Sequence, residues 1–205
     1  MKRALDKEIR FGPQPPCVPE EVSSLLKSAQ FDSDRGEITF AGSDWILVRG
    51  STLRALMERV MRLPGTEGMR ILSEAGKHTG KELAKAILKE ETALKELPKW
   101  STALSTRSGW GKIETRVDPN HKRAVVEIYN CVTSRGIHSE EASCHFIRGY
   151  IEGIGEIILK EPVECSENKC ASKGDTSCFF RIQRKISDTS SQRGETRKTK
   201  REALL

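Results

Sequence analysis

Residues 139–160, SEEASCHFIRGYIEGIGEIILK, and 161–182, EPVECSENKCASKGDTSCFFRI, differ in hydrophobic period, and that change carries the fold. In the first stretch Ile147, Tyr150, Ile151, Ile154, Ile157 and Ile158 recur at helical spacing. Ser139 is placed to cap, and Glu140 and Glu141 suit the positive end of a helix dipole. The spacing predicts a helix from Ser139 that stops at Lys160. In the second stretch two short strands, about Pro162 to Asn168 and Cys178 to Ile182, flank the turn chemistry of Lys173-Gly174-Asp175. A helix is thus followed by a hairpin.

Working outward, Trp110 to Val117 and Ala124 to Tyr129 are rich in β-branched residues and are separated by Asp118-Pro119-Asn120-His121, which predicts a second hairpin. Leu53, Leu56, Met57, Val60 and Met61 define an amphipathic helix capped by Ser51 or Thr52 and stopped near Pro64-Gly65. A longer helix is expected from about Thr66 to Glu90, with Met69, Leu72, Leu83 and Ile87 on one stripe and the small residues Ala75, Gly76, Gly80 and Ala84 on or beside it. A third is expected from Thr92 to about Thr106, interrupted near Pro98. Ile38 to Phe40 and Trp45 to Val48 flank Ala-Gly-Ser-Asp and read as a further hairpin. A short helix is expected after Pro19, on Val22, Leu25, Leu26 and Ala29. This order implies an α+β fold, an antiparallel sheet of hairpins packed against several helices. The expected organisation is an N-terminal arm with a short helix (1–36), one domain (37–184) and a disordered basic tail (185–205).

At 205 residues the chain suffices for one ordinary core. No apolar run reaches the length of a membrane span, and Met1-Lys2-Arg3 leads into charged sequence rather than a secretory signal, so the expected location is cytoplasmic. The net charge is +6, but from Gln183 onward seven Lys or Arg stand against three acids. The excess charge therefore sits mostly in the tail, and contact with nucleic acid is expected only through it.

Six cysteines in a reducing compartment point to metal or reactive thiols rather than to disulfides. Cys144, Cys165, Cys170 and Cys178 fall within 35 positions, and a hairpin with Gly174 near its tip brings Cys170 and Cys178 together. Thiolates and carboxylates suit tetrahedral zinc, so Cys144, Glu167, Cys170 and Cys178 form a possible closed set. Lys169, Lys173 or His145 could then soften its net negative charge. The other reading is four small soft residues buried without metal. Strand parity puts Glu167 and Cys170 on opposite faces, so either the strand bends before Cys170 or Cys165 takes the place of Glu167.

No catalytic constellation is visible. Gly76-Lys-His-Thr-Gly80-Lys81 has the outline of a phosphate loop, but Ala75 stands where its first glycine belongs, Glu82 replaces Ser or Thr, and the segment is mid-helix. His78, His121, His138 and His145 lack an evident nucleophile partner, and no dinucleotide fingerprint or other organic cofactor signal is present.

The segments Cys144-His-Phe-Ile-Arg-Gly-Tyr-Ile-Glu-Gly153, Glu161-Pro-Val-Glu, Cys170 with Lys173-Gly174-Asp175, and Cys178-Phe-Phe-Arg-Ile182 resemble the 4-vinyl reductase domain family. The likeness is specific over 109–182, and Gly50-Ser-Thr-Leu-Arg and Glu74 to Gly80 are similar to the family's less distinctive N-terminal half. It implies a fold shared with vesicle-tethering subunits and, more distantly, haem nitric-oxide sensor domains. In the family's phenol-responsive sensors a structural zinc is held by a cysteine at a helix start, a glutamate and two hairpin cysteines. The matching positions are Cys144, Glu167, Cys170 and Cys178.

The function expected from both readings is a small-molecule binding or sensory module for an apolar, hydrocarbon-like or aromatic ligand, in a pocket between helices and sheet. Trp110, Phe146 and Tyr150 are placed nearest that pocket, with plain core packing as the other reading. A tetrapyrrole-pathway protein acting on or presenting a vinyl-bearing pigment intermediate is the enzymatic alternative, and a dimeric assembly or adaptor subunit is the third. A homodimer is expected from the glycine-bearing helix faces at Gly76, Gly80, Gly149 and Gly153, unless those two helices pack on each other within one chain.

Overall fold

A computed structural model describes residues 9–11, 29–40, 43–89, 94–118 and 123–185. The short helix expected after Pro19, the turn at 119–122 and the tail from 186 lie outside the described residues. The elements in chain order are β1 (Ile9–Phe11), β2 (Gln30–Asp32), β3 (Glu37–Phe40), β4 (Ser43–Trp45), α1 (Gly50–Met61), α2 (Glu67–Lys89) and α3 (Leu97–Arg107). There follow β5 (Lys112–Asp118), β6 (Arg123–Tyr129), α4 (His145–Leu159), β7 (Val163–Lys169) and β8 (Cys178–Arg184). Helices and antiparallel strands mix as the α+β reading requires.

Five strands form the main sheet in the order β1-β5-β6-β8-β7, every pair antiparallel. Its inner face follows the two-residue alternation of the sequence: Ile113, Thr115 and Val117 on β5, Val126 and Ile128 on β6, and Phe180 and Ile182 on β8 are buried. A smaller sheet, β2-β3-β4, packs Phe40 into a second core with Ala84, Ile87, Leu97, Leu104 and Ile154.

Helix α4 lies between the main sheet and α2, and the α2 contact explains the glycines. A Cβ added at Gly76 would fall on the Phe146 carbonyl, and one at Gly80 on the Tyr150 carbonyl. One at Gly149 would fall on the Ser73 carbonyl, and one at Gly153 on that of Lys77. Because the partners rise together along both chains, the two helices run parallel. The phosphate-loop-like stretch is therefore a backbone-to-backbone packing seam. The faces on which a homodimer was expected are used inside the chain. Lys77 bridges Glu152 and Glu156 at 2.8 and 2.7 Å, and Lys81 reaches Glu156 at 2.6 Å, flanking the seam with half-buried ion pairs.

Several boundaries differ from expectation. α4 starts at His145, not after Ser139, because the chain from Ser139 is tied to the β7–β8 connection: Ser139 N–H donates to the Ser172 carbonyl at 2.9 Å and the Ser172 hydroxyl to the Glu141 carbonyl at 3.4 Å. Ser139 accepts instead from the Glu141 N–H, in a local turn. Ser51 and Thr52 lie inside α1, whose N-cap is Arg49 without a side-chain cap. Pro98 sits in the first turn of α3, where its missing N–H costs nothing, and so opens the helix rather than interrupting it. The strand expected over Trp45 to Val48 ends at Trp45, leaving Ile46 and Leu47 exposed.

Candidate functional site

The thiol cluster is built by three local structures. Cys144 is the N-cap of α4, Cys178 opens β8, and Cys170 follows β7 where a short helical turn, Ala171–Lys173, begins. That turn closes at Gly174, whose φ of 95° disfavours a side chain, and the Asp175 carboxylate accepts the Cys170 N–H at 2.9 Å. The parity conflict is resolved by a bulge: Glu167 pairs with Phe180 but Lys169 with Phe179, so Asn168 is extra and the chain turns Cys170 back toward Glu167.

One donor atom from each of Cys144, Glu167, Cys170 and Cys178 lies within 4.8 Å of every other. The sulfur separations are 3.6 Å (Cys144 to Cys178), 3.8 Å (Cys144 to Cys170) and 4.0 Å (Cys170 to Cys178). A tetrahedral zinc site with Zn–S bonds of about 2.3 Å has S···S edges of about 3.8 Å, which these distances bracket. Glu167 Oε1 is buried with no hydrogen-bond partner, as a carboxylate oxygen awaiting a cation would be. The residues present thus fit a metal ion. Cys165 is buried on the same strand face but is not part of this converging set.

The charge balance is kept by hydroxyls rather than cations. The Thr133 hydroxyl donates to Cys144 Sγ at 3.3 Å, Ser134 Oγ lies 3.3 Å from Cys178 Sγ, and Ser172 Oγ lies 3.0 Å from Cys170 Sγ. The Ala171 N–H donates to Cys178 Sγ at 3.4 Å. Lys169 and Lys173 are exposed, and burial lowers the pKa of His145, so it is no buried cation. Within the cluster, hydrogen bonds from Cys144 and Cys178 hold the Cys170 thiol well below its usual range. Donation to Cys131 first, then Cys170, pushes Cys144 up. Burial, with the Cys170 hydrogen bond next, pushes Glu167 up to about 9.

Cys131 is the residue that sequence reasoning missed. It is 1% exposed, its sulfur is 3.8 Å from that of Cys144, and Thr133 Oγ1 lies 3.1 Å away. The signal was present: in the β6–β8 register Ile128 faces Cys178, so the residues just beyond β6 must land beside the cysteine that opens β8.

The second feature is a cavity enclosed by α3, α4 and the inner face of the main sheet, with about 70 Å³ available to the centre of a water-sized sphere. Ile113, Val126, Ile147, Ile151, Ile154 and Ile182 make most of its wall, and no charged side chain lines it. Its polar groups are hydroxyls already paired with one another: Thr102 with Thr115 at 2.7 Å and Ser105 with Tyr150 at 2.9 Å. Burial pushes the Tyr150 phenol up to about 12, so it stays neutral. Trp110 and Tyr150 line the cavity, whereas Phe146 stands behind Trp110, stacked on it at 5.6 Å between ring centres. His78 and His138 do not converge with the thiol cluster.

An antiparallel sheet and helices enclosing an apolar cavity, with a thiol cluster pinning one helix to a hairpin, define the class of domain. Residues 124–184 match the 4-vinyl reductase domain, so this chain carries one there. Over 64 residues it is 38% identical to an uncharacterized protein of Methanocaldococcus jannaschii, a match covering 31% of this chain and 35% of that relative. The match thus spans about a third of the length of this curated relative. The fold is that of the phenol-responsive sensory domain of the transcription activator PoxR, solved with phenol: TM-score 0.67 at 18% identity, covering 80% of this chain and 89% of that one. A trafficking protein particle complex subunit 3 from Naegleria fowleri, covalently bound to palmitic acid, is similar at TM-score 0.51 and 14% identity, over 67% of this chain and 95% of its own.

Proposed function

We propose that this chain is a small-molecule binding or sensory module of the cytoplasm, taking an uncharged apolar or aromatic ligand between α3, α4 and the main sheet. The observation that carries this reading is the enclosed cavity itself: apolar walls, no charge, and hydroxyls at Ser105, Tyr150, Thr102 and Thr115 as the polar groups. A charged ligand would lose its hydration there without a counter-ion. Trp110 and Tyr150 supply flat aromatic contact area. The solved sensory domain with phenol supports the reading through its fold alone.

In the same reading Cys144, Glu167, Cys170 and Cys178 hold zinc. Four protein donors leave no open position for water or substrate, so the ion's part is to tie α4 to the β7–β8 hairpin. The five described cysteines are all free thiols, which suits a reducing compartment. A tetrapyrrole macrocycle is several times larger than this cavity and would need α3 and α4 to part, which disfavours a pigment-pathway role.

Native mass spectrometry of the full chain, purified without added ligand, reads metal, bound molecule and oligomeric state together. Thermal shift with phenol, indole and benzoate then tests the cavity. Phenol or indole should raise Tm and benzoate should not, and Ile151→Trp, which fills the space, should abolish the shift. A shift by neither uncharged aromatic would overturn the reading.

A further inference from the structure

We infer that the metal centre has five donors rather than four, with Cys131 the fourth thiolate, recruited in place of Glu167 by soft, thiophilic cations. This rests on the reading of Cys144, Glu167, Cys170 and Cys178 as a metal site. Three observations carry it.

Cys131 lies inside the same enclosed space as the cluster. Its sulfur is 3.8 Å from that of Cys144, the edge length of a tetrahedral thiolate site, and the side chain is 1% exposed. Its other polar neighbour is the Thr133 hydroxyl at 3.1 Å, and the same hydroxyl donates to Cys144 Sγ at 3.3 Å, so the two sulfurs already share an outer partner. Thr133 would orient either as a ligand.

The second observation is freedom of movement at both exchanging positions. Cys131 comes after the last paired residue of β6, Tyr129, and follows Asn130, whose φ is 52°. Its sulfur is therefore not fixed by sheet register. Glu167 sits immediately before the β7 bulge, and its Oε1 is buried without a partner. A shift of about 1 Å, within the slack of such an irregular backbone, would bring one donor in as the other leaves.

The third is chemical. Carboxylate oxygen is the hard member of the set and thiolate the soft one, so a harder divalent ion retains Glu167 while a softer one gains by exchanging it for sulfur. Either ligand set carries four negative charges, so the exchange leaves the net charge of the filled site unchanged. The outer hydroxyls of Thr133, Ser134 and Ser172 serve both sets.

The test uses the full chain loaded separately with zinc and with cadmium, with X-ray absorption counting sulfur and oxygen neighbours of the ion. Zinc should show three sulfurs and one oxygen, and cadmium four sulfurs. Cys131→Ser should leave zinc unchanged, return cadmium to three sulfurs and weaken it by about tenfold, the scale of a lost ligand-shell contact. In Glu167→Gln zinc itself should acquire the fourth sulfur, which keeps the test alive if Cys131→Ser does not fold. Three sulfurs on cadmium in the unaltered protein, or cadmium held equally by Cys131→Ser, would overturn the inference while leaving the zinc reading intact. Failure of both ions to bind would overturn the zinc reading and this inference with it.

Discussion

Replacing Gly149 by alanine should destabilise the protein, although helix propensity alone says the opposite. In a helix interior the exchange gains about 1 kcal/mol by propensity. Here the new Cβ would fall on the Ser73 carbonyl and come within 3.0 Å of the Lys77 nitrogen, both backbone atoms of α2 that no rotamer change can remove. The helices must part by about 1 Å or more to restore ordinary contact, and overpacking of this kind costs roughly 1–3 kcal/mol where side chains can yield. Backbone cannot yield so cheaply. Because Gly76, Gly80 and Gly153 press on the facing backbone in the same seam, parting at one contact loosens the rest. A net loss of about 2–3 kcal/mol corresponds to a fall in Tm of about 5–10 °C for a domain of this size.

The assay is thermal or urea unfolding of three variants. Gly149→Ala and Gly76→Ala together should cost less than the sum of the singles, because one retreat accommodates both. Gly155→Ala is the control: its Cβ would meet side-chain methyls, Ile182 Cγ2 at 3.2 Å and Val163 Cγ2 at 3.3 Å, which can adjust, so its cost should be well under half. A Gly149→Ala protein more stable than its parent would refute the parallel packing of α2 on α4. A Tm that rises steeply with protein concentration would instead return those faces to a dimer interface.

Metal removal should be costly: a chelator, Cys170→Ser or Cys178→Ser should each lose the zinc and several kcal/mol, whereas Cys165→Ser should keep the zinc, measured by metal analysis and unfolding. In metal-stripped protein the pH dependence should have a defined sign. Glu167 is raised from 4.5 to about 9 in the folded state, so its contribution is complete below about 4.5 and disappears as pH rises through about 9. Tm should therefore fall over that window and Glu167→Gln should flatten the fall; a rise in both proteins would contradict it. Tyr150→Phe should leave metal content unchanged and cost about 1–2 kcal/mol, because the buried Ser105 hydroxyl loses its 2.9 Å partner, and equal stability would show that the pair is not formed.

What could be read in advance followed from short-range periodicity. The α2 stripe places its ends within a residue of the observed Glu67–Lys89, and the alternations place β5 and β6. The set Cys144, Glu167, Cys170 and Cys178 was legible because three of its members sit on one hairpin, yet choosing Glu167 over Cys165 required the bulge at Asn168, which leaves no sequence signature. Cys131 was invisible because its nearness depends on β6 pairing with β8, a contact between strands about fifty residues apart. The delayed start of α4 has the same origin. Ser139, Glu140 and Glu141 are good helix-starting residues locally, and the hydrogen bond from Ser139 to Ser172, 33 positions away, overrides them. Glycine at 76, 80, 149 and 153 signalled close approach, but only tertiary structure tells whether the partner is the same chain.

The arrangement around α4 bears on how a small cavity can bind anything. A ligand with few atoms has little contact energy, and any ordering of the protein on binding would consume it. α4 is already held on every side the cavity depends on. Its N-cap is one of the clustered cysteines, its outer face is locked to α2 by four glycines and the Lys77 and Lys81 ion pairs, and Lys160 ends it in a left-handed turn. Trp110, which lines the cavity, is clamped between these parts: its ring stacks on Phe146 and Tyr150 at 5.6 and 6.1 Å, and its carbonyl accepts the N–H of Val132, the residue after Cys131. The cavity wall and the thiol centre thus share Trp110 and the first two turns of α4. A cation that fixes Cys144 would fix that wall before any ligand arrives, and the ligand's limited contact energy would then appear as affinity instead of offsetting disorder.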